Sequence, residues 1–283
     1  MSTKSKEWYR KKIRRKLFWR QHGTVVTTWG LVAAAVLALL GAALWRDFSE
    51  KKEAEAAMAL EVQRIPKGEG FSVSPCRLDP SLLPEYAGEP YVNLTEGIPG
   101  FHLYDLTHFT GEAYEPLDEL GRCQGAMALL HKSLMPKEER EPIGQIMPSG
   151  WNQKKYAGII AVNPPYLYHR CHLIAYAMTG QNANERNLIT GTSYVNMGSM
   201  LEWETKVLKY LDRCGNHVLY RVTPVFRGEE LVCRGVEMEA YSLEDHGAGL
   251  CFHVFVFNVQ PGIEIDYATG ESHPSPENAI SVQ

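Results

Sequence analysis

The chain has 283 residues, of which 45% are hydrophobic and 22% are charged. This composition excludes a disordered or fibrous chain and fits one large globular domain or two small ones. The formal net charge of -4 hides an asymmetry, because residues 1–22 carry nine Lys or Arg and one acid, Glu7, for a net charge of +8. The remaining 261 residues therefore carry -12, which argues against a broadly basic surface there and leaves room only for a local basic groove.

The segment from residue 23 to residue 45 contains no charged side chain. About 20 apolar residues in a helix cross the hydrocarbon core of a bilayer, so we predict one transmembrane helix here. The flank before it is strongly basic and the flank after it is mixed, which predicts a cytoplasmic N-terminus and an extracellular remainder in the cell membrane. A cleaved signal peptide is the main alternative, but its apolar region would be only about 7–15 residues long.

Composition divides the rest of the chain into three parts. Residues 46–85 begin rich in Ala, Glu and Lys and end rich in Pro and Gly, which predicts a helical stalk and a linker. Residues 86–271 are predicted to form one globular domain, and the polar residues 272–283 a loose tail. The chain has six cysteines; an even number in an exported domain permits disulfides, but their pairing cannot be deduced from sequence.

Hydrophobic patterning within the globular domain predicts an α+β fold. An amphipathic helix is expected over residues 196–211, because Met200, Trp203, Val207 and Leu211 recur at helical spacing. A strand–strand–helix unit containing this helix is expected in the middle of the domain, with antiparallel strands after it. The predicted strands are residues 156–162, 166–173, 217–226, 232–241 and 250–259.

The densest group of potentially reactive side chains is His169-Arg170-Cys171-His172, followed by Asn187, Asn196 and Glu204. A histidine can transfer protons near neutral pH, and an arginine can bind phosphate oxygens. An Asn carbonyl oxygen suits Mg²⁺, and a carboxylate about two helical turns away could hold metal-bound waters. Together these residue types describe phosphodiester hydrolysis.

Spacing alone leaves other interpretations of these residues open. A His beside an Arg is commonly a surface pair, and an Asn at a helix start is commonly an N-cap. Zinc could bind His169, Cys171 and His172, but no second pair of ligands follows at a usual spacing. A membrane-anchored structural or adhesion protein would explain the anchor and stalk, but not the Arg, His, Asn and Glu set.

The stretch from Tyr168 to Asn196 and on through LEWETKV resembles the DNA/RNA non-specific endonuclease family, the His-Me finger or ββα-metal nucleases. The resemblance extends to ProSerGlyTrp at 148–151, to residues 186–190 and to residues 258–271, so it covers most of 86–271. It implies a ββα-metal core packed on an antiparallel sheet. A basic head, one anchor and an external domain are also similar to competence-type DNA-entry nucleases.

The resemblance implies a role for each of five residues. His172 takes the position of the general base and Asn196 that of the direct Mg²⁺ ligand, with Mn²⁺ as an alternative ion. Glu204 matches the carboxylate that orients metal-bound water. Asn187 matches a second Asn that supports the site, and Arg170 the Arg near the scissile phosphate.

The implied partner is DNA, with RNA as a second substrate, bound without sequence specificity through sugar-phosphate contacts and without a small-molecule cofactor. Lys154, Lys155 and Arg186 are further candidates for substrate binding beside Arg170. The pattern specifies no oligomeric state.

Two positions depart from the family's usual Asp-Arg-Gly-His. His169 replaces the Asp and cannot supply a fixed negative charge. Cys171 replaces the Gly and adds a Cβ atom. A weakly active or inactive nucleic-acid receptor with the same fold is therefore the alternative function.

Overall fold

The computed structural model describes residues 11–17, 41–43, 45–46 and 78–276. The chain divides into two compact units, residues 1–66 and 67–283. The described parts of the first unit are helical. None of the helices in these described ranges is long and apolar enough to cross a membrane. Most of the predicted anchor at 23–45 and the predicted stalk at 46–63 lie outside the described residues.

The second unit is built on a six-stranded antiparallel sheet with the order β1-β8-β7-β6-β3-β2. Its three long strands match the three predicted after residue 215, which confirms the predicted α+β class with an antiparallel sheet. The strands are β1 (Tyr91–Asn93), β2 (Glu112–Tyr114), β3 (Ala126–Leu130), β6 (Val218–Val225), β7 (Gly235–Ser242) and β8 (Cys251–Phe257).

One face of this sheet packs against the main helix. Val218, Tyr220 and Val222 alternate along β6 and enter the largest hydrophobic cluster, as the two-residue period of a strand requires. The helices are α1 (Leu103–His108), α2 (Tyr176–Thr179) and α3 (Met200–Arg213). Met200, Trp203, Val207 and Leu211 are all buried on α3, which confirms the predicted apolar stripe.

The opposite face of the sheet contains a buried ionic cluster. Arg221 Nε donates to Glu239 Oε2 at 2.6 Å, and His253 Nε2 lies 2.6 Å from Glu237 Oε1. The Thr95 hydroxyl donates to a backbone carbonyl, so it accepts a hydrogen bond from His253 Nδ1. Each of the two buried carboxylates therefore has a basic side chain as a partner, as buried charges require.

A second, two-stranded sheet carries the predicted reactive residues. β4 (Tyr168–His172) pairs antiparallel with β5 (Leu188–Thr192). A single π-helical turn, Val195–Ser199, follows β5 and leads directly into α3. The expected strand–strand–helix unit is therefore present, with Asn196 at the start of its helical part.

Two sequence-based expectations differ from the structure. No strand forms at 156–162; instead the amides of Ile159 and Ile160 both point to the carbonyl of Tyr156 in a turn. This apolar run packs around Leu167, Tyr168 and Ile263, so its hydrophobicity serves a folded-back loop. The chain after residue 271 also stays ordered at first, because β10 (Ser272–Pro274) pairs with β9 (Ile263–Ile265).

Cys171 fits the hairpin because the neighbouring strand has a glycine beside it. The Cys171 side chain is buried, and its thiol donates to Met200 Sδ at 3.6 Å. A Cβ atom placed on Gly191 would lie 2.6 Å from Cys171 Cβ and 3.3 Å from its Sγ. The extra side chain at 171 therefore occupies space that Gly191 leaves open. Cys123, Cys214, Cys233 and Cys251 are, like Cys171, free thiols, and Cys76 lies outside the described residues.

We predict that Gly191→Ala destabilises the domain by about 1–3 kcal/mol, because the added Cβ overpacks the hairpin. In a Cys171→Gly background the same change should cost at least about 1 kcal/mol less, since the clashing atoms are gone. Urea unfolding of the four proteins measures this coupling. Gly215→Ala is the control, because a Cβ there meets no atom within 4 Å. Additive effects of the two substitutions would refute the packing explanation.

Candidate functional site

The imidazole of His172 is held at the end of β4 by two contacts that define its tautomer. Nε2 lies 2.9 Å from the backbone carbonyl oxygen of Asn182, which can only accept. Nδ1 lies 3.2 Å from Nη2 of Arg140, which can only donate. The proton of the neutral ring is therefore on Nε2, and Nδ1 carries the lone pair.

His172 is also kept in its neutral form. Burial lowers the pKa of His172 to about 4, against a partial offset from the Asn182 carbonyl, and the positive charge of Arg140 lowers it further. Burial disfavours the charged imidazolium in the same way that it disfavours any buried ion. At neutral pH this side chain is a proton acceptor with a single defined basic nitrogen.

Asn187 fixes the backbone that follows His172. Its side chain is fully buried; Nδ2 donates to the carbonyl of Ile174 at 3.0 Å, and Oδ1 accepts from the amide of Ile174 at 2.8 Å. The amide of Leu173 donates to the backbone carbonyl of Asn187. Asn187 is thus placed to position the chain after β4, consistent with the supporting role that the resemblance implies.

The turn that carries Asn196 is held in place by hydrogen bonds from the end of β8. The buried Asn258 side chain accepts from the Thr192 amide at 2.9 Å and donates to the carbonyl of Thr190 at 3.0 Å. The hydroxyl of Thr192 donates to the Val259 carbonyl at 2.6 Å and accepts from the Val195 amide at 3.1 Å. These bonds connect the sheet to the turn that carries Asn196.

A further hydrogen bond fixes the start of the same turn. The side chain of Gln260 accepts it from the amide of Tyr194 at 3.0 Å. Asn258 and Gln260 belong to the stretch 258–271, on which the family resemblance partly rests. Their contacts show that this stretch supports the start of the helical unit.

A cavity of about 500 Å³ lies beside these elements. It contains two arginines and no carboxylate among the described residues that line it, so its wall is positive although the chain outside residues 1–22 is acidic. Its lining residues are Arg140, Ile143, Trp151, Gln153, Tyr166, Tyr168, His169, Arg170 and Asn196. His169 and Asn196 therefore face the same space.

Arg170 is fixed between a loop and an aromatic ring. Its Nη2 donates to the carbonyl of Gly144 at 2.7 Å, and its Nε donates to the carbonyl of Ile146. Its guanidinium lies 4.3 Å from the ring centroid of Trp151, a cation–π distance. Arg170 is a rigid part of the cavity wall.

The three other candidates for substrate binding lie in different surroundings. Lys154 donates to the backbone carbonyl of Ser272 at 2.8 Å and so joins β10 to the loop before β4. Lys155 is exposed and lies 4.8 Å from the ring centroid of Tyr166, a cavity-lining residue. Arg186 is exposed on the short helical turn before β5.

Glu204 is buried on α3, and burial raises the pKa of its carboxyl to about 7. Burial raises the pKa values of Cys171 and Tyr220, and the charge of Glu204 raises them further. It has no hydrogen-bond partner among the described residues. A buried carboxyl without a partner gains most from a nearby cation.

Two groups facing the cavity fit a divalent metal ion. Asn196 offers an amide oxygen, which Mg²⁺ and Ca²⁺ accept. His169 offers a ring nitrogen: its Nε2 is buried and has no hydrogen-bond partner in the described part of the chain. Burial lowers the pKa of His169, which keeps this ring neutral.

Arg140 and Asn182 are functional candidates that sequence reasoning missed. Arg140 contacts both His172 Nδ1 and, at 3.4 Å, the side-chain oxygen of Asn182. Asn182 in turn donates to the carbonyl of Glu141 at 2.9 Å. The only signal for Asn182 is its place within the stretch that carries the resemblance; Arg140 lies in a charged run that reads as solvated surface.

Comparison with known proteins finds nuclease relatives. A curated deoxyribonuclease of Streptococcus dysgalactiae subsp. equisimilis is 28% identical over 196 residues, which are 56% of this chain and 59% of that protein. The match thus spans about three-fifths of the relative's length.

Two solved structures share the fold. NucA from Streptococcus agalactiae, solved with magnesium bound, matches with a TM-score of 0.56 and 25% identity over 65% of this chain and 87% of that one. The Sda1 nuclease, solved with zinc bound, matches with a TM-score of 0.51 and 28% identity over 71% and 94%. Residues 104–243 match the sequence profile described as DNA/RNA non-specific endonuclease. Residues 104–243, just under half of the chain, therefore resemble the nuclease domain of the DNA/RNA non-specific endonuclease family.

Proposed function

We propose that this chain is a membrane-anchored extracellular endonuclease that hydrolyses phosphodiester bonds of DNA, and of RNA, without sequence specificity and with a divalent metal ion. The observation that carries the proposal is the defined lone pair on Nδ1 of neutral His172, next to an arginine-lined cavity that Asn196 enters. The β4–β5–α3 unit is the ββα-metal core in this interpretation.

His172 accepts the proton of the attacking water at Nδ1. The Asn182 carbonyl holds the Nε2 proton and so keeps Nδ1 as the basic atom. The low pKa of His172 leaves the ring unprotonated at neutral pH, as a general base requires. Arg140 donates to the same nitrogen in the free protein; a phosphate oxygen is a stronger acceptor for a guanidinium than a neutral imidazole is. Substrate therefore draws Arg140 away and frees Nδ1.

Asn196 holds the divalent ion, with Mg²⁺ as the proposed ion and Mn²⁺ as an alternative. When bound, such an ion stabilises negative charge on the phosphate and on the leaving oxygen. Glu204, whose carboxyl is buried with a pKa of about 7, orients water at the site. Support comes from the magnesium bound in the NucA structure.

Phosphate recognition falls to the positive wall of the cavity. Arg140 and Arg170 line it, Lys155 lies beside the lining residue Tyr166, and Arg186 adds an exposed positive charge on the turn before β5. Backbone phosphate contacts carry little sequence information, so cleavage is independent of sequence. Lys154 is occupied by the Ser272 carbonyl and is the weakest of the predicted substrate contacts.

We predict that the purified chain nicks supercoiled plasmid with Mg²⁺ and that a chelator stops it. His172→Ala should lower the rate by at least about a hundredfold, since general-base catalysis contributes roughly 10²–10⁴. His108→Ala is the control, because His108 is exposed on α1, outside the cavity wall. Folded wild-type protein that binds plasmid but never cleaves it, with Mg²⁺ or Mn²⁺, would contradict this proposal and favour the inactive receptor.

The anchor has its own test. We expect the full chain, expressed in bacterial cells, to stay in the membrane pellet after alkaline carbonate washing, because residues 23–45 carry no charge and are long enough to span a bilayer. A variant lacking residues 1–45 should be released into the supernatant. External protease should digest the C-terminal domain of intact cells. A mature protein that starts after residue 45 would support the signal-peptide alternative instead.

A further inference from the structure

The His169 side chain stands in an unusual state for a cavity residue. Its Nε2 is buried and has no hydrogen-bond partner among the described residues. Buried polar atoms in native proteins nearly always have a partner, and an unmade hydrogen bond costs about 1–3 kcal/mol. A ligand that binds at Nε2 would remove that cost.

The surroundings of His169 narrow the choice of that group. His169 and Asn196 line the same cavity, and Asn196 is the proposed metal ligand. On β4, Cys171 lies two residues from His169, so the two side chains share one face of the hairpin. The Cys171 thiol contacts Met200, the first residue of α3. His169 therefore projects on the side of the hairpin against which the turn and α3 pack.

Both arginines of the cavity wall are bonded to other groups than His169. The fixed hydrogen bonds of Arg170 to two backbone carbonyls keep its guanidinium on the loop at 144–147. Arg140 is engaged with His172 and Asn182. A neutral imidazole with a free ring nitrogen is the form that binds metals.

We propose that His169 is a direct nitrogen ligand, through Nε2, of the same divalent ion that Asn196 binds. This inference rests on the proposed function and refines it. An imidazole ligand suits zinc, copper, iron and nickel, whereas Mg²⁺ prefers oxygen ligands. The site is thereby biased away from Mg²⁺ and toward ions such as Zn²⁺, relative to a site with a carboxylate at position 169.

The test measures metal binding itself. One equivalent of Mn²⁺ is added to the full chain, and electron spin-echo envelope modulation detects nitrogen nuclei bonded directly to the ion. We expect a coupled imidazole nitrogen in the wild type, none in His169→Asp, and an unchanged signal in His172→Gln. Calorimetric titrations should show that His169→Asp lowers the ratio of Zn²⁺ to Mg²⁺ affinity by at least about tenfold.

The controls separate this inference from the proposed function. Mn²⁺ that binds with an Asn196-dependent affinity but shows no nitrogen coupling would overturn the His169 ligand and leave the nuclease site intact. A coupling lost in His172→Gln would mean that the proposed base binds the metal, which overturns both. Absence of any Asn196-dependent binding would also overturn both. Circular dichroism shows which of His169→Asp and His169→Gln keeps the wild-type fold. The nitrogen coupling is then compared between the wild type and a variant that is folded.

Discussion

The hydrogen bonds between the end of β8 and the end of β5 are the constraint on which the site depends. Through Asn258 and Thr192 they connect the large antiparallel sheet to the small hairpin and to the turn before α3. Asn258 is completely buried, so its bonds form where water cannot replace them. Asn196 and His172 thus lie on two elements held by the same sheet, which gives the site a rigid support.

A second set of close contacts positions Trp151 in the wall of the cavity. Gly150 and Gly270 approach so closely that a Cβ on Gly270 would lie 1.9 Å from the carbonyl oxygen of Gly150. Both have positive φ angles, which only glycine adopts without strain. The hydroxyl of Tyr168 donates to the Gly270 carbonyl at 3.0 Å. These contacts bring Trp151, which follows Gly150, beside Arg170 on the cavity wall.

Periodic patterns predicted the parts of this protein that depend on local sequence. The stripe on α3 and the three long strands follow from hydrophobic spacing, and the resemblance placed His172, Asn187 and Asn196 around one hairpin. The predicted strand at 156–162 was wrong because an apolar run does not distinguish a strand from a loop that packs around Leu167. Arg140 could not be predicted, since its contact with His172 joins residues 32 positions apart.

The resemblance to a nuclease family, the positive cavity and the defined basic nitrogen support the proposed account, in which the sheet holds the start of α3 so that Asn196 can bind a metal near His172. Thr192→Val tests this most directly, because it removes the hydroxyl that bonds both Val195 and Val259 and preserves side-chain shape. Thr190→Val is the matched control, since its equally buried hydroxyl bonds only the Ser149 carbonyl. We expect Thr192→Val to lower plasmid nicking by at least about tenfold and to raise the Mg²⁺ concentration needed for half-maximal rate, with little effect from Thr190→Val. Equal rates and metal dependence in the two folded variants would contradict the account.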